Sequence, residues 1–240
     1  MAYRRYLPAG QKTFLRQIRA DASRAALDSL TAYVTASGEK HVDLHLPYGP
    51  DAAAGYPFTP GMVFELSCEH RGMGLRLQAS YRERLDDSTV RLQFEGNLEF
   101  ISLRRYRRVD VTAWVGLDRR AGTLTARRRA WEESVQQLQA GVSAATLTKF
   151  RKVPLNLSAG GLRLAVAAPV VPAELIVVFL SIGDKGGIIC ALAEVLWAGT
   201  GERTGSCPAG LRFLNILAED QARIDTVVTA LRERLEQAGG

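Results

Sequence analysis

Four arginines crowd into five consecutive positions within the segment LRRYRRVDV, which spans residues 103–111. They are Arg104, Arg105, Arg107 and Arg108. A guanidinium group is a planar fork of donors that matches phosphate oxygens two at a time, and the same fork matches the O6/N7 edge of guanine. Because like charges this close repel one another, the segment predicts either a solvated surface or a site for an anion that carries phosphate and guanine.

A second segment with binding chemistry is NLSAGG, residues 156–161. Asn156 and Ser158 alternate, so both side chains can leave the same face of a strand, and they offer amide and hydroxyl groups. Gly160 and Gly161 follow at once, and glycine lets a ligand approach the backbone closely. A polar pair and a glycine turn opposite the arginines would form a site for a compact anion.

Catalytic and metal-binding patterns are absent from the sequence. Ser158 does not lie in a GxSxG turn, and the chain contains neither GxxxxGK[ST] nor GxGxxG. The histidines are His41, His45 and His70, all far from Ser158 along the chain. His41, Asp43 and His45 alternate, which predicts an exposed polar strand face and no metal site. We therefore expect a binding protein with no cofactor.

The positive charge of the chain is concentrated in one region. The net charge is +6, yet residues 104–129 alone hold nine arginines and two aspartates. A single basic region favours one anionic partner over a generally adhesive surface. Nucleic acid is the alternative ligand, but few aromatic rings that could stack on bases lie near the cluster, only Tyr106, Trp114 and Trp131. Nucleic-acid binding is therefore the weaker of the two interpretations.

The cysteines and the apolar segments predict a cytoplasmic protein. Cys68, Cys190 and Cys207 are odd in number and far apart, which argues against a disulfide framework or a zinc site. The most apolar stretch, residues 162–182, is interrupted by arginine, proline and glutamate, so we expect no membrane insertion. The first ten residues lack the apolar core of a signal peptide.

The hydrophobic pattern predicts a mainly β (α+β) fold with two β-barrel-like domains. We expect an N-terminal helix over residues 11–37, because Phe14 and Ile18 begin an apolar stripe at helical spacing. Alternating segments from residue 40 to residue 96 predict an antiparallel β unit, and further strands follow from residue 109. Helical spacing returns in a helical insert at about 119–148 and in a C-terminal helix at 218–237.

The two polar segments together resemble the signature of PilZ domains, which bind cyclic di-GMP: RxxxR, then [D/N]xSxxG across a strand. The segments GGLRLAV, AEVLWA and GLRFLNI resemble the family as well, so the likeness covers most of residues 100–240. The resemblance implies that Arg104 and Arg108 hold phosphates and guanines, that Asn156 and Ser158 contact guanine or phosphate, and that Gly161 permits a close turn. Arg105, Arg107 and Gly160 are possible additional ligand-binding residues.

Two departures from the family pattern affect this interpretation. Asn156 stands where aspartate is commoner, and 47 residues separate Arg108 from Asn156, which is longer than the usual gap. The helical insert accounts for the extra length. If it covers the site, the protein would be a degenerate PilZ-like interaction module that binds no nucleotide.

The layout predicts two domains and a signalling role. Residues 1–100 resemble the N-terminal β domain of flagellar-brake proteins, and residues 101–240 would form the PilZ barrel. The resemblance implies a cyclic di-GMP receptor, not an enzyme, that changes its domain arrangement on nucleotide binding. It would regulate motility or surface attachment through a protein partner.

Overall fold

A computed structural model of the chain describes residues 3–18, 26–50, 52–102, 106–183, 186–200 and 205–238. The chain divides into two compact units. The first consists mainly of residues 27–104, and the second mainly of residues 105–122 and 126–240.

The first unit contains a closed six-stranded antiparallel barrel. Its strands are β1 (Lys12–Gln17), β2 (Ala26–Ser37), β3 (His41–His45), β4 (Val63–His70), β5 (Met73–Arg84) and β6 (Thr89–Ile101). They pair in the order β1-β4-β5-β6-β3-β2, and β1 also pairs with β2, so the sheet closes on itself. A 3₁₀ helix (Tyr3–Arg5) precedes the barrel, and a one-turn helix α1 (Ala52–Gly55) follows β3.

The predicted N-terminal helix is wrong, because residues 12–17 and 26–37 form β1 and β2. Residues 19–25 lie outside the described part of the chain. In β2 the inward-facing side chains Leu30, Ala32 and Val34 alternate and are almost fully buried, which is the period of a strand. Ile18, which began the supposed helical stripe, is 38% exposed. Threonine, valine and tyrosine in β2 also favour a strand, because their branched or aromatic side chains pack well on a pleated surface.

The second unit contains another closed six-stranded antiparallel barrel, followed by a long helix. Its strands are β7 (Val109–Asp118), β8 (Arg151–Ser158), β9 (Gly161–Ala167), β10 (Leu175–Ser181), β11 (Ile189–Ala198) and β12 (Ser206–Leu217). They pair in the order β12-β11-β10-β7-β8-β9, and β12 also pairs with β9. The predicted mainly β fold with two barrels is therefore confirmed.

Buried apolar and outward-facing residues alternate along β8 and β9, the strands that carry the second polar segment. Leu155 and Leu157 are buried on β8, and Leu162, Leu164 and Val166 are buried on β9. The side chains between them point away from the barrel interior. A slip of one residue would turn these leucines outward, so the register that places Asn156 on the outer face is strongly specified.

The helices of the second unit are α2 (Leu124–Gln139), the one-turn α3 (Ala144–Leu147) and α4 (Ala218–Ala238). The helical insert and the C-terminal helix are therefore present. On α2, Trp131 is 4% exposed and its indole N–H donates to the Cys190 carbonyl at 3.0 Å. On α4, Ile224 and Val228 are fully buried. Both apolar stripes therefore pack against the barrel.

The cysteines and histidines carry no evident site. Cys68, Cys190 and Cys207 are free and buried, and burial raises the pKa of Cys68 to about 11. Within the described ranges, no group of three or more His, Cys, Asp or Glu side chains could hold a metal ion. Asp43, which we expected on an exposed face, is 7% exposed and accepts two hydrogen bonds from Arg91. No described helix is long and apolar enough to cross a membrane.

Candidate functional site

The two polar segments lie on neighbouring strands of the second barrel. The arginine segment runs directly into β7, and NLSAGG forms the end of β8 and the turn into β9. Strands β7 and β8 are antiparallel neighbours, and Val109 is paired with Leu157. Arg107 and Arg108 are exposed just before β7, whereas Arg104 and Arg105 lie outside the described residues. The described part of the first motif thus adjoins the second.

A tyrosine between the arginines attaches the first segment to the glycine turn. The ring of Tyr106 packs so closely on Gly160 that a Cβ there would lie 2.7 Å from the ring. The Tyr106 hydroxyl donates to the Gln221 side-chain oxygen at 3.3 Å, and the Gln221 amide donates to the Ala159 carbonyl at 2.9 Å. Tyr106, which the sequence analysis named only as a ring that could stack on bases, therefore connects the arginine segment, the turn and α4.

Asn156 lies in a polar row that crosses three strands. It is paired with Asp110 on β7 and with Arg163 on β9, so all three side chains lie on the outer face. The Asn156 amide donates to the Asp110 carboxylate at 2.8 Å, and the Arg163 guanidinium lies 4.0 Å from the same carboxylate. All of these groups are open to solvent on at least one side, and Asp110 is 82% exposed.

Ser158 and Gly161 shape the turn between β8 and β9. Ser158 is 6% exposed, and its hydroxyl donates to the Gly161 carbonyl at 3.1 Å. Gly161 has a φ of +154°, and a Cβ there would collide with the Leu211 carbonyl on β12. The close approach of β12 to the start of β9 therefore requires glycine at this position.

The row of outward-facing side chains continues from Arg163 to Trp197, and the sequence analysis named neither residue. Arg163 is paired with Gly210 on β12, and Gly210 is paired with Trp197 on β11. The Trp197 indole lies over Gly210, where a Cβ would collide with it, and Trp197 is 44% exposed. Arg163 and Trp197 lie near the candidate site because of the pairing between strands, and no local sequence motif predicts that pairing.

The helical insert leaves the barrel at the ends of β7 and β8 that are remote from the two motifs. The motifs lie at the start of β7 and the end of β8, whereas the insert joins the end of β7 to the start of β8. Asp118 lies eight positions after Asp110 on β7, which corresponds to about 27 Å along the strand. The long gap between Arg108 and Asn156 is therefore compatible with a single site.

Most of the described arginines at the insert are paired with carboxylates. The pairs are Arg119 with Glu174, Arg120 and Arg127 with Asp118, and Arg129 with Glu133. Burial acts to raise the pKa of Asp118, but hydrogen bonds from Arg120 and the charge of Arg127 outweigh it and lower the pKa to about 2. These pairs reduce the positive field that a nucleic-acid interface would need.

The fold and the site define a β-barrel module that presents a cationic segment beside a polar glycine turn. Residues 102–230 match the family model described as the PilZ domain, and the chain belongs to the PilZ family. No curated protein sequence matches the chain.

Several solved structures are similar to the chain at low sequence identity. The motility inhibitor MotI/DgrA of Bacillus subtilis is 12% identical and covers 95% of this chain and 98% of its own, with a TM-score of 0.38. YcgR of Escherichia coli, solved with c-di-GMP, is 16% identical over 95% of this chain and 87% of its own, with a TM-score of 0.37. MrkH of K. pneumonia, also solved with c-di-GMP, is 12% identical over 94% and 90%, with a TM-score of 0.34. The family assignment depends on the match over residues 102–230 and not on these likenesses.

Proposed function

We propose that this protein is a cyclic di-GMP receptor whose ligand-binding residues are Arg104, Arg108, Asn156, Ser158 and Gly161. The observation that supports it most is the packing of Tyr106 on Gly160, which holds the arginine segment against the glycine turn. One compact ligand with two phosphates and two guanines could then bind between the guanidinium groups of the arginine segment on one side and the Asn156 amide on the other. Family membership supports the same ligand.

Each residue has a role that follows from its surroundings. Arg108 is exposed and able to reach a phosphate, and the Asn156 amide can exchange its bond to Asp110 for a guanine edge. The buried Ser158 hydroxyl donates to the Gly161 carbonyl, so we assign it to hold the turn. In the proposal its oxygen also accepts a hydrogen bond from the ligand. Trp197 extends the row beyond Arg163, and an exposed indole near a guanidinium suits a flat purine.

In this proposal the protein acts in the cytoplasm as a two-domain effector, with domains at 1–100 and 101–240, and not as an enzyme. Nucleotide binding would change the arrangement of the domains and so regulate motility or surface attachment through a protein partner. The ligand can shift that arrangement only by its differential affinity for the two states. Small-angle scattering with and without nucleotide tests this step, and identical profiles at saturation would exclude it.

Calorimetric titration with cyclic di-GMP tests the ligand itself. The wild-type protein should bind, and Arg108→Ala and Asn156→Ala should each weaken binding by about tenfold to a hundredfold, since a hydrogen bond to a charged group contributes about 1.5–3 kcal/mol. Arg129→Ala is the matched control, because it removes an exposed arginine of the same basic region but lies on α2. No binding by the wild-type protein, or equal losses in all three variants, would refute the proposal.

A further inference from the structure

The outer face of β7 and β8 continues beyond the polar row and carries a second, distinct set of side chains. Thr112 is paired with Pro154, and Trp114 is paired with Lys152. Directly paired residues point to the same side of a sheet, so these four side chains share the outer face. All four are exposed. We call this surface the β7–β8 face.

Trp114 is the prominent apolar group of the β7–β8 face. It is 51% exposed, although it lies in the middle of a barrel strand whose inward-facing neighbours Ala113 and Val115 are buried. A single exposed aromatic residue is ordinary on its own. Its strand neighbours distinguish it here. The cation Lys152 lies directly opposite on β8, and the small Ser181 on β10 leaves the indole uncovered on the other side.

Lys152 lies on the face beside Trp114, and two further cations precede it along the chain: Lys149 just before β8, and Arg151, which is paired with Val115 and so starts from the other side of the sheet. Lys149, Arg151 and Lys152 are all exposed. Among the residues that the structure describes, none of the three forms an ion pair, in contrast to the carboxylate-paired arginines at the insert. Three unpaired positive charges this close together along the chain repel one another, and an acidic partner would compensate them.

We infer that the β7–β8 face is a docking surface for an acidic segment of a partner protein. Trp114 would supply the apolar anchor, since tryptophan is enriched among residues that dominate binding energy at protein interfaces. Lys149, Arg151 and Lys152 would set the charge of the partner and its rate of association. This inference does not depend on nucleotide binding, because none of these four residues belongs to the proposed cyclic di-GMP site.

Nucleic acid and membranes fit the β7–β8 face less well. A nucleic-acid-binding protein commonly contacts about six to ten phosphates, whereas this face and the start of β8 together offer three cations. The neutral side chains of Thr112 and Pro154 cover the next part of the face, and Asp110 beyond them is an exposed carboxylate. A lone tryptophan also lacks the extended apolar surface with which proteins insert into a bilayer interface.

The test uses the full chain and a fluorescently labelled, glutamate-rich helical peptide with leucines along one face, followed by anisotropy. The wild-type protein should bind this peptide and should bind its glutamine-substituted version at least tenfold more weakly. Trp114→Ala and Lys152→Glu should each weaken binding to the acidic peptide at least tenfold. Both positions are exposed, so thermal unfolding should be close to that of the wild-type protein.

Two control variants make the same chemical changes on the other barrel. Phe100→Ala removes a 56% exposed aromatic side chain, and Lys40→Glu reverses an exposed lysine, so it changes the net charge as Lys152→Glu does. Both should bind the acidic peptide within about twofold of wild type. The inference is overturned if the peptide does not bind, or if the controls weaken binding as much as the β7–β8 variants. It is also overturned if duplex DNA or phosphatidylserine vesicles bind this face more tightly than the peptide.

Discussion

Tyr106→Ala should weaken cyclic di-GMP binding without changing any charged or hydrogen-bonding group that the proposal assigns to the ligand. The Tyr106 ring is half-buried on Gly160, which corresponds to roughly 100 Å² removed from water and about 2.5 kcal/mol. That free energy opposes the release of the arginine segment. If the segment is released in the variant, the ligand must order it on binding, and the affinity falls by between about tenfold and about seventyfold.

The assay is calorimetric titration of wild type, Tyr106→Ala and Tyr106→Phe with the same nucleotide. Tyr106→Phe keeps the ring on Gly160 and loses the long hydrogen bond of 3.3 Å to Gln221, so its affinity should stay within about threefold of wild type. An affinity for Tyr106→Ala within twofold of wild type, with the fold intact by circular dichroism, would show that the tyrosine does not preorganise the segment.

Three further substitutions test the turn, the insert and the polar row. Gly161→Ala should lower the free energy of unfolding by about 2–4 kcal/mol in urea denaturation, because its φ of +154° and the adjacent strand leave no space for a Cβ; an unchanged midpoint would contradict this. Because the folded-state pKa of Asp118 is lowered to about 2, its pairing stabilises the protein above pH 4, and this stabilisation is lost as the pH falls from 4 to 2. Asp118→Asn should lower the free energy of unfolding by about 1 kcal/mol at pH 7, after allowance for solvent screening, and should make it depend less on pH between 4 and 2. A pH dependence equal to that of the wild-type protein would exclude a stabilising role for the pair with Arg120. Asp110→Asn removes a carboxylate that accepts from Asn156 and would repel phosphate, so cyclic di-GMP affinity should rise about threefold to tenfold by calorimetry; a fall in affinity would refute that role.

Local pattern predicted the second barrel better than the first. The alternation of Leu155, Leu157, Leu162 and Leu164 marks β8 and β9 directly, because each strand has one buried face. The prediction of a helix over residues 11–37 was wrong because Phe14 and Ile18 are spaced as on one face of a helix, although neither side chain faces the core. Strand β1 pairs with both β2 and β4 because the barrel is closed. Pairing between segments that are distant in sequence cannot be predicted from the hydrophobic pattern of one short segment.

The candidate site shows the same division between local and non-local information. Asn156, Ser158 and Gly161 could be named from their spacing, because a glycine turn at a strand end is a local feature. Arg163 and Trp197 could not, since they enter the polar row only through the register of β9, β12 and β11. Pairing of the insert arginines with carboxylates such as Glu174 also depends on tertiary contacts, so formal charge overstated the basic field.

A crystal structure of the protein with cyclic di-GMP tests the central claim most directly. The account predicts one nucleotide site in which the guanidinium groups of Arg104 and Arg108 and the side chain of Asn156 all lie within about 3 Å of ligand atoms, as hydrogen bonds require. A nucleotide bound elsewhere, or one that contacts the arginines while the Asn156 turn faces solvent, would contradict it.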